Sequence, residues 1–326
     1  MHYVNLGTAG VKVSRVALGC LTFGSKRWRP WVLEEDEAVP LIKRALDRGI
    51  NFFDTADFYS LGASEQVLGR ALRRLGVARH RVVISSKVGL PLGDDPNARG
   101  LSRKHIRHGI EDSLRRLGVD YLDLYQIHRF DAETPMDETI AALDDVVRAG
   151  QALHIGASSM HAWRFARLIA RCDAAGAARF ATMQSHYNLV YREEEREMIP
   201  LCVAEGVGVL PWSPLARGLL AGNRAGGAET VRARTDDIAR RFYAHESDEA
   251  VLARVGEIAR RRGVSHAQVA LAWLMAQPGV TAPLIGASKP HHIDDACAAV
   301  ELKLSEEELS SLSDAYRPHP VIGHHA

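Results

Sequence analysis

Short runs rich in β-branched and apolar residues alternate along this chain with longer runs of helical periodicity. That alternation restricts the fold more than any other feature. Eight strand candidates are read: 14–19 (SRVALG), 51–56 (NFFDTA), 81–88 (RVVISSKV), 121–128 (YLDLYQIH), 152–159 (ALHIGASS), 181–187 (ATMQSHY), 206–213 (GVGVLPWS) and 282–288 (APLIGAS). Helical spacing occupies 34–49, 64–76 (with Ser64 as its cap), 102–118, 135–150, 161–176, 192–206 and 265–279, and several of these runs end on Gly as helix C-termini do. Eight strand–helix units in 326 residues predict an α/β fold, a (β/α)8 TIM barrel, as a single domain over 1–326. Residues 3–14 carry Gly turns and alternate, which predicts a small N-terminal β-hairpin at one barrel end. Residues 304–312 (LSEEELSSL) follow a Ser cap and predict a C-terminal extra helix. The stretch 216–250 is the one long interruption and reads as either a functional loop or a disordered insertion.

Lys and Arg total 41 against 40 Asp and Glu, a balance without the excess of positive charge that nucleic acid or an anionic membrane calls for. The run ARRRG at 259–263 suits the cationic end of a helix. Cys20, Cys172, Cys202 and Cys297 are widely spaced, with no C-x-x-C, and read as small buried hydrophobes in a reducing compartment. The opening MHYVNLGTAG is not a signal peptide, and no apolar run approaches the ~20 residues of a membrane span. A soluble, cytoplasmic protein is expected. The His pairs at 291–292 and 324–325 and the tail RPHPVIGHHA lack ligands at metal spacing and read as surface or tail residues, so no metal site is expected.

A barrel confines chemistry to the C-terminal ends of its strands. Asp54 and Tyr59 fall at and just beyond the end of strand two, Lys87 at the end of strand three and His128 at the end of strand four. Ser158 and Ser159 close strand five, Gln184 lies in strand six, and Trp212 and Ser213 end strand seven. Taken singly, such residues are ordinary: a strand-end Lys is solvated, a lone His is a hydrogen-bonded core residue, and an Asp caps a helix. Together on one rim, Asp54 can hold Lys87, and Lys87 can lower the pKa of the Tyr59 phenol. Tyr59 then serves as a general acid while His128 orients a carbonyl oxygen. Trp28, Trp31, Phe58 and Arg129 lie on rim loops and read as the substrate side, with Tyr59 and His128 at its floor; the arginine suits an anionic or polyhydroxyl substrate, or equally a surface ion pair.

The ordered blocks GCLTFG, NFFDTADFYS, ISSKVG, DYLDLYQIHR, IGASSM, MQSHYNLVYREEE, PWSPLARGLL and PLIGASKP resemble the aldo-keto reductase superfamily over essentially the whole chain, and within it the bacterial YajO-like, aryl-alcohol dehydrogenase-like group. The resemblance implies an NADPH-dependent barrel oxidoreductase, with NADH as the second option, that reduces aldehydes or ketones to alcohols. It places the catalytic set on Asp54, Tyr59, Lys87 and His128, and the carboxamide contacts on Ser158, Ser159 and Gln184. The nicotinamide stack falls on Trp212, and the pyrophosphate contacts on Ser213, Leu215 and Arg217. Thr22 also faces the cofactor, and the adenosine end falls on Gly286, Ser288, Lys289 and His292. Ser159 stands where many members have Asn, His292 replaces a Gln or Arg, and Ala296 replaces an Asn. The superfamily also contains nucleotide-sensing subunits without catalysis, and a redox-neutral rearrangement of a sugar phosphate has been suggested for its YajO-like members. Both remain alternatives at this stage. The 216–250 loop is expected to close over the pyrophosphate, with Gly222, Gly226 and Gly227 giving flexibility and Arg217 and Arg224 meeting phosphate.

Overall fold

A computed structural model of the chain describes residues 1–222, 231, 235–243 and 248–324. Two three-residue strands, β1 (Tyr3–Asn5) and β2 (Lys12–Ser14), pair antiparallel as the expected hairpin, with Tyr3 opposite Ser14. Eight parallel strands follow: β3 (Ala17–Gly19), β4 (Phe52–Asp54), β5 (Val83–Val88), β6 (Leu122–Ile127), β7 (Ala152–Ser158), β8 (Phe180–Gln184), β9 (Gly208–Val209) and β10 (Leu284–Gly286). They lie side by side in chain order, with β10 beside β3. Backbone bonds bring the last edges together: Thr281 N–H donates to Val209 O at 2.8 Å, and Leu284 N–H to Pro211 O at 2.9 Å. This is the α/β barrel expected from the alternation.

The strands of the last units are shorter than expected: 206–213 reduces to Gly208–Val209, and 282–288 to Leu284–Gly286. Pro211 and Pro283 explain it, because neither can donate to a ladder. Each contributes only its carbonyl, Pro211 to Leu284 and Pro283 to Ala17. Side chains from the strands and, at Leu210, just beyond one fill the barrel: Ala17, Phe52, Val83, Leu124, Leu210 and Leu284 pack with Leu6 and Val13 of the hairpin, which plugs the end away from the rim.

The helices named from periodicity are α1 (Glu35–Asp47), α2 (Ala63–Arg74), α3 (Arg103–Leu117), α4 (Met136–Arg148), α5 (Ala162–Ala175) and α6 (Met198–Glu205). Ser102 caps α3 through the His105 N–H. Ser64 does not cap α2, contrary to expectation: it lies inside the helix, donates to Cys20 O and meets Thr55 Oγ1, which ties the helix to the first two strand ends. The 216–250 interruption is not devoid of structure. A 3₁₀ stretch covers Ala216–Ala221, α7 spans Asp237–Phe242, and α8 (Asp248–Arg262) begins within it. The buried positions 251, 255, 258 and 259 of α8 have helical spacing, so the helix follows from a pattern the long-loop reading passed over. Arg224, Gly226 and Gly227 lie outside the described residues. Helices α9 (His266–Met275), α10 (Pro290–Ala299) and α11 (Glu306–Asp314) complete the chain, and Ser305 caps α11 with Glu308 in a capping box. Glu308 also receives Arg261 and Arg262 from the cationic end of α8. Cys20, Cys172 and Cys202 are buried, and Cys297 is half-buried. Among the described residues no helix is long and apolar enough to cross a membrane.

Candidate active site

Strand register sets the floor of the site. Asp54 is paired with Ser85 and Lys87 with Gln126, so these side chains enter the barrel at neighbouring levels. Lys87 Nζ donates to Asp54 Oδ2 at 2.6 Å, to Thr55 O at 2.8 Å and to Tyr59 Oη at 3.1 Å. All three donors of the ammonium are thereby used, although its side chain is fully buried. The other carboxylate oxygen, Asp54 Oδ1, accepts from Ser85 Oγ at 2.6 Å, Gln184 Nε2 at 3.0 Å and Gln126 Nε2 at 3.1 Å. Gly156 leaves room for this network, since a Cβ there would lie 2.4 Å from Thr182 Oγ1 and 3.0 Å from Gln126 Cγ. Burial pulls the Lys87 ammonium down, but Asp54 and Tyr59 outweigh it and hold it above the usual lysine value.

The proposed tuning of Tyr59 is corrected in its net sign. Burial raises the phenol pKa; Lys87 lowers it and Asp54 raises it, and the sum lies above the ordinary tyrosine value. Lys87 therefore limits an upward shift rather than bringing the phenol near neutrality, and Tyr59 is protonated throughout the neutral range. His128 stands edge-on to Tyr59 with ring centroids 5.6 Å apart, and Phe58 is edge-on to His128 in turn. Burial first, then Lys87 and Arg129, hold the His128 imidazole well below its usual pKa, so it is neutral. Its Nδ1 is buried without a partner among the described residues.

Above this floor, Tyr191, His186 and Trp212 form a three-ring stack, with centroid spacings of 4.0 and 4.1 Å. Trp212 Nε1 donates to Ser159 Oγ at 2.8 Å, which fixes the rotation of the indole. Ser158 Oγ donates to Gln184 O at 3.0 Å. The Gln184 amide N–H is engaged by Asp54, so the structure joins this residue to the catalytic floor as well as to the two serines. Six non-glycine residues among those described have positive φ: Ser60, Leu61, Ser159, Ser213, Ala216 and Arg217. All lie on the rim, where held strain marks functional backbone. Ser159 takes φ 32° in a region where Asn is the more tolerant residue, which gives its replacement of Asn a conformational penalty. Arg217, expected at the pyrophosphate, is paired with the buried Asp236. Leu215 packs between the main core and the α8–α9 cluster. Thr22 Oγ1 donates to Ala287 O at 3.2 Å and so links the first rim loop to the end of β10.

Gly286, Ser288 and Lys289 are exposed at the start of α10, with Lys289 as its N-cap residue. His292 is half-buried beside them: its Nδ1 accepts from Ser288 N–H, and burial, then His291 and Lys289, lower its pKa, so the imidazole is a neutral acceptor. Of the substrate-side residues, Trp31 is buried and Phe58 half-exposed, and the Arg29 guanidinium lies 4.6 Å from the Trp28 ring and 5.7 Å from that of Trp31. The His-rich tail is also corrected. His319 and His324 are buried, paired with Asp248 at 3.1 Å and Glu194 at 2.8 Å. Gly323, at φ 85°, lies so close to Trp212 that a Cβ would come within 3.1 Å of the indole. His325 lies outside the described residues.

Sequence reasoning missed Ser85, Gln126, His186 and Asp57. Asp57 is buried, and among the described residues its carboxyl has no partner beyond the nearby Phe58 backbone N–H. Burial, then the charge of Glu65, raise its pKa well above the carboxylate range, against Arg116 and Lys87. A carboxyl raised in the folded state favours folding fully below its unfolded pKa, near 3.9, and that contribution is lost as pH rises through the folded value. Asp57→Asn is therefore expected to raise the thermal midpoint at pH 8, less so at pH 5, and not at pH 3.5. Unfolding scans at the three pH values check this, and an equal shift at all three refutes it.

The sequence pattern of the Aldo/keto reductase family matches residues 15–317. A versiconal hemiacetal acetate reductase of Aspergillus parasiticus is 45% identical, covering 98% of each chain. An aldo-keto reductase of Fusarium vanettenii is 43% identical over 99% of this chain and 93% of its own. A Schizosaccharomyces pombe protein provisionally named an aryl-alcohol dehydrogenase is 42% identical over 98% and 97%. These relatives are fungal, so the aryl-alcohol dehydrogenase likeness agrees with the motifs, while the bacterial YajO-like placement is not what they point to. With the motif order, the barrel and these matches together, the chain belongs to the aldo/keto reductase family.

Proposed function

We propose that this protein reduces aldehydes or ketones to alcohols with a reduced nicotinamide cofactor, preferentially NADPH, and that Tyr59 is the proton donor. The observation that carries this reading is the chain from buried Asp54 and Lys87 to half-buried Tyr59, closed by contacts of 2.6 and 3.1 Å with neutral His128 alongside. Its residues fit the cofactor on two counts. Trp212 is fixed by a stack on one side and by Ser159 at its edge. Exposed Ser288 and Lys289 stand at the N-terminus of α10, the electropositive end of that helix. The bound cofactor supplies hydride to the carbonyl carbon. Tyr59 Oη gives its proton to the carbonyl oxygen. Lys87 holds the phenol in place and stabilises the phenolate that remains, and Asp54 holds Lys87. His128, neutral, presents a ring N–H that orients the same oxygen. The names of the reductase and aryl-alcohol dehydrogenase relatives support a carbonyl–alcohol pair. The complete acid machinery favours catalysis over a purely nucleotide-sensing role. Purified protein mixed with NADPH and a panel of aryl aldehydes, sugars and keto-sugars tests the reading: nucleotide oxidation dependent on a carbonyl compound supports it. Tight nucleotide binding without turnover across the panel rejects it, as does sugar-phosphate conversion without nucleotide oxidation.

The cofactor preference depends on the 2′-phosphate. Lys289 is exposed, and a charge-assisted contact to phosphate is worth about tenfold to a hundredfold in affinity. Lys289→Ala is expected to bring the NADPH/NADH affinity ratio down by that factor, more at low salt than at high. Titration of both nucleotides into both proteins at two salt concentrations reads it. An unchanged ratio removes Lys289 from the site.

A further inference from the structure

We propose that Arg129 is the anchor for an oxyanion on the substrate, so that the site prefers carbonyl compounds carrying a carboxylate or another anionic oxygen group. This rests on the reductase reading above.

The charges around Tyr59 do not balance without such a group; another half-buried cation of the rim, Arg29, lies over Trp28 and Trp31 and is drawn to Asp236. Lys87 is neutralised by Asp54, and Arg217 by Asp236. Asp57 is held towards its neutral form, and His128 and Tyr59 are neutral. Arg129 is left as a cation with no carboxylate within ion-pair distance among the described residues. Burial holds its pKa below the usual arginine value, with only Tyr59 opposing. A cation drawn partly out of water without a carboxylate partner is disfavoured, and a charged ligand offsets the penalty.

The geometry shows where that ligand sits. Arg129 Nη1 donates to its neighbour's carbonyl, His128 O, at 2.6 Å and to Ser158 Oγ at 3.3 Å. Those two bonds orient the guanidinium but occupy one nitrogen. Nε and Nη2 make no hydrogen bond among the described residues, and neither is sealed from solvent. An open Nε/Nη2 edge is the planar fork that receives two oxygens of a carboxylate at once. The guanidinium carbon lies 5.9 Å from the Trp212 ring centroid, and its charge is felt by both Tyr59 and His128. The guanidinium therefore lies within electrostatic reach of the proton donor. Trp28 and Phe58, edge-to-face at 5.9 Å, supply an apolar wall for the body of the molecule, and Phe58 leads on to His128. The arrangement suits an aromatic carbonyl compound with its anion directed to Arg129.

The test uses matched substrates with NADPH: 4-carboxybenzaldehyde, its methyl ester, and 4-formylphenyl phosphate. For the wild type, kcat/KM for at least one anionic aldehyde is expected to exceed that for the ester by about tenfold to a hundredfold. The better of the two anions identifies the group. Arg129→Met is expected to abolish the ratio, and Arg129→Lys to retain part of it, because a lysine keeps the charge and loses the fork. Circular dichroism and thermal midpoints establish that the variants are folded. Calorimetry of benzoate against benzamide on the NADPH-loaded protein reads the anion site without turnover, and benzoate is expected to bind more tightly only when Arg129 is present. The proposal is overturned if the ester serves the wild type as well as both anions, or if the preference survives in Arg129→Met. It is also overturned if Arg129→Met weakens NADPH binding and leaves the ratio intact, which would assign the guanidinium to the cofactor. If no aldehyde is reduced at all, the reaction assigned above fails, and equal binding of benzoate and benzamide then rejects the anion site separately.

Discussion

Tyr59→Phe is expected to lower carbonyl reduction by about 10²–10⁴-fold, the usual worth of a positioned proton donor, and to leave cofactor affinity nearly unchanged. The substitution removes one oxygen and nothing else. The ring keeps its edge contact with His128 and its place 4.7 Å from the Lys87 ammonium. Lys87 keeps Asp54 Oδ2 and Thr55 O as acceptors, so the buried cation is not stranded and the fold should tolerate the change. A loss confined to kcat, with NADPH affinity and thermal midpoint near those of the wild type, separates removal of the acid from damage to the pocket. A variant that still reduces aldehydes within a few-fold of the wild type would mean that the proton comes from elsewhere, and His128 would be the next group to substitute. The pH profile adds a direction. Because the Tyr59 pKa is raised, wild-type reduction should hold across the neutral range and fall only as the phenol ionises, above the ordinary tyrosine value.

The rim positions were legible because barrel topology converts the order of strands into a place. Asp54, Lys87 and His128 end successive strand candidates, and the structure brings the first two into contact around Tyr59 and sets His128 beside it. The same period of two could have yielded more. Ser85 lies two residues before Lys87 and Gln126 two before His128, so both point inward on their strands, and both donate to Asp54. A polar residue one inward step below a catalytic one is a signal, and it was overlooked because neither Ser nor Gln suggests chemistry alone.

Other features were not accessible at that level. No periodicity relates Asp236 to Arg217, or His324 to Glu194 across most of half the chain, because those pairs depend on how a loop and a tail return to the rim. The strand ends at Pro211 and Pro283 were readable, since a missing N–H is a local property. The net direction of the Tyr59 shift was not. It is a balance between burial and two opposed charges, and sequence supplies the charges without the burial.

Lys87→Met should be severely damaging, through stability as well as catalysis. The Asp54–Lys87 pair is sealed from water on both sides. Removing one partner leaves the other charge buried, which costs about 3–5 kcal/mol. Asp54 would retain its bonds from Ser85, Gln126 and Gln184 on Oδ1, but Oδ2 would face a thioether. Turnover should fall by ~10²-fold or more as the phenol loses its cationic neighbour. The sign of the pH effect follows from that neighbour: Lys87 lowers the Tyr59 pKa, so its loss should move the alkaline limb of residual reduction to higher pH. The double substitution Asp54→Asn/Lys87→Met separates the two effects. With no unpaired charge left inside the barrel, most of the lost stability should return, while reduction stays low because nothing tunes Tyr59. Denaturant unfolding and pH–rate profiles of the two single variants and the double variant measure this. If the double variant is as unstable as Lys87→Met, the destabilisation comes from lost packing rather than from a stranded carboxylate. If the alkaline limb does not move in Lys87→Met, the charge of Lys87 does not act on Tyr59, and the proposed coupling of the pair to the proton donor is wrong.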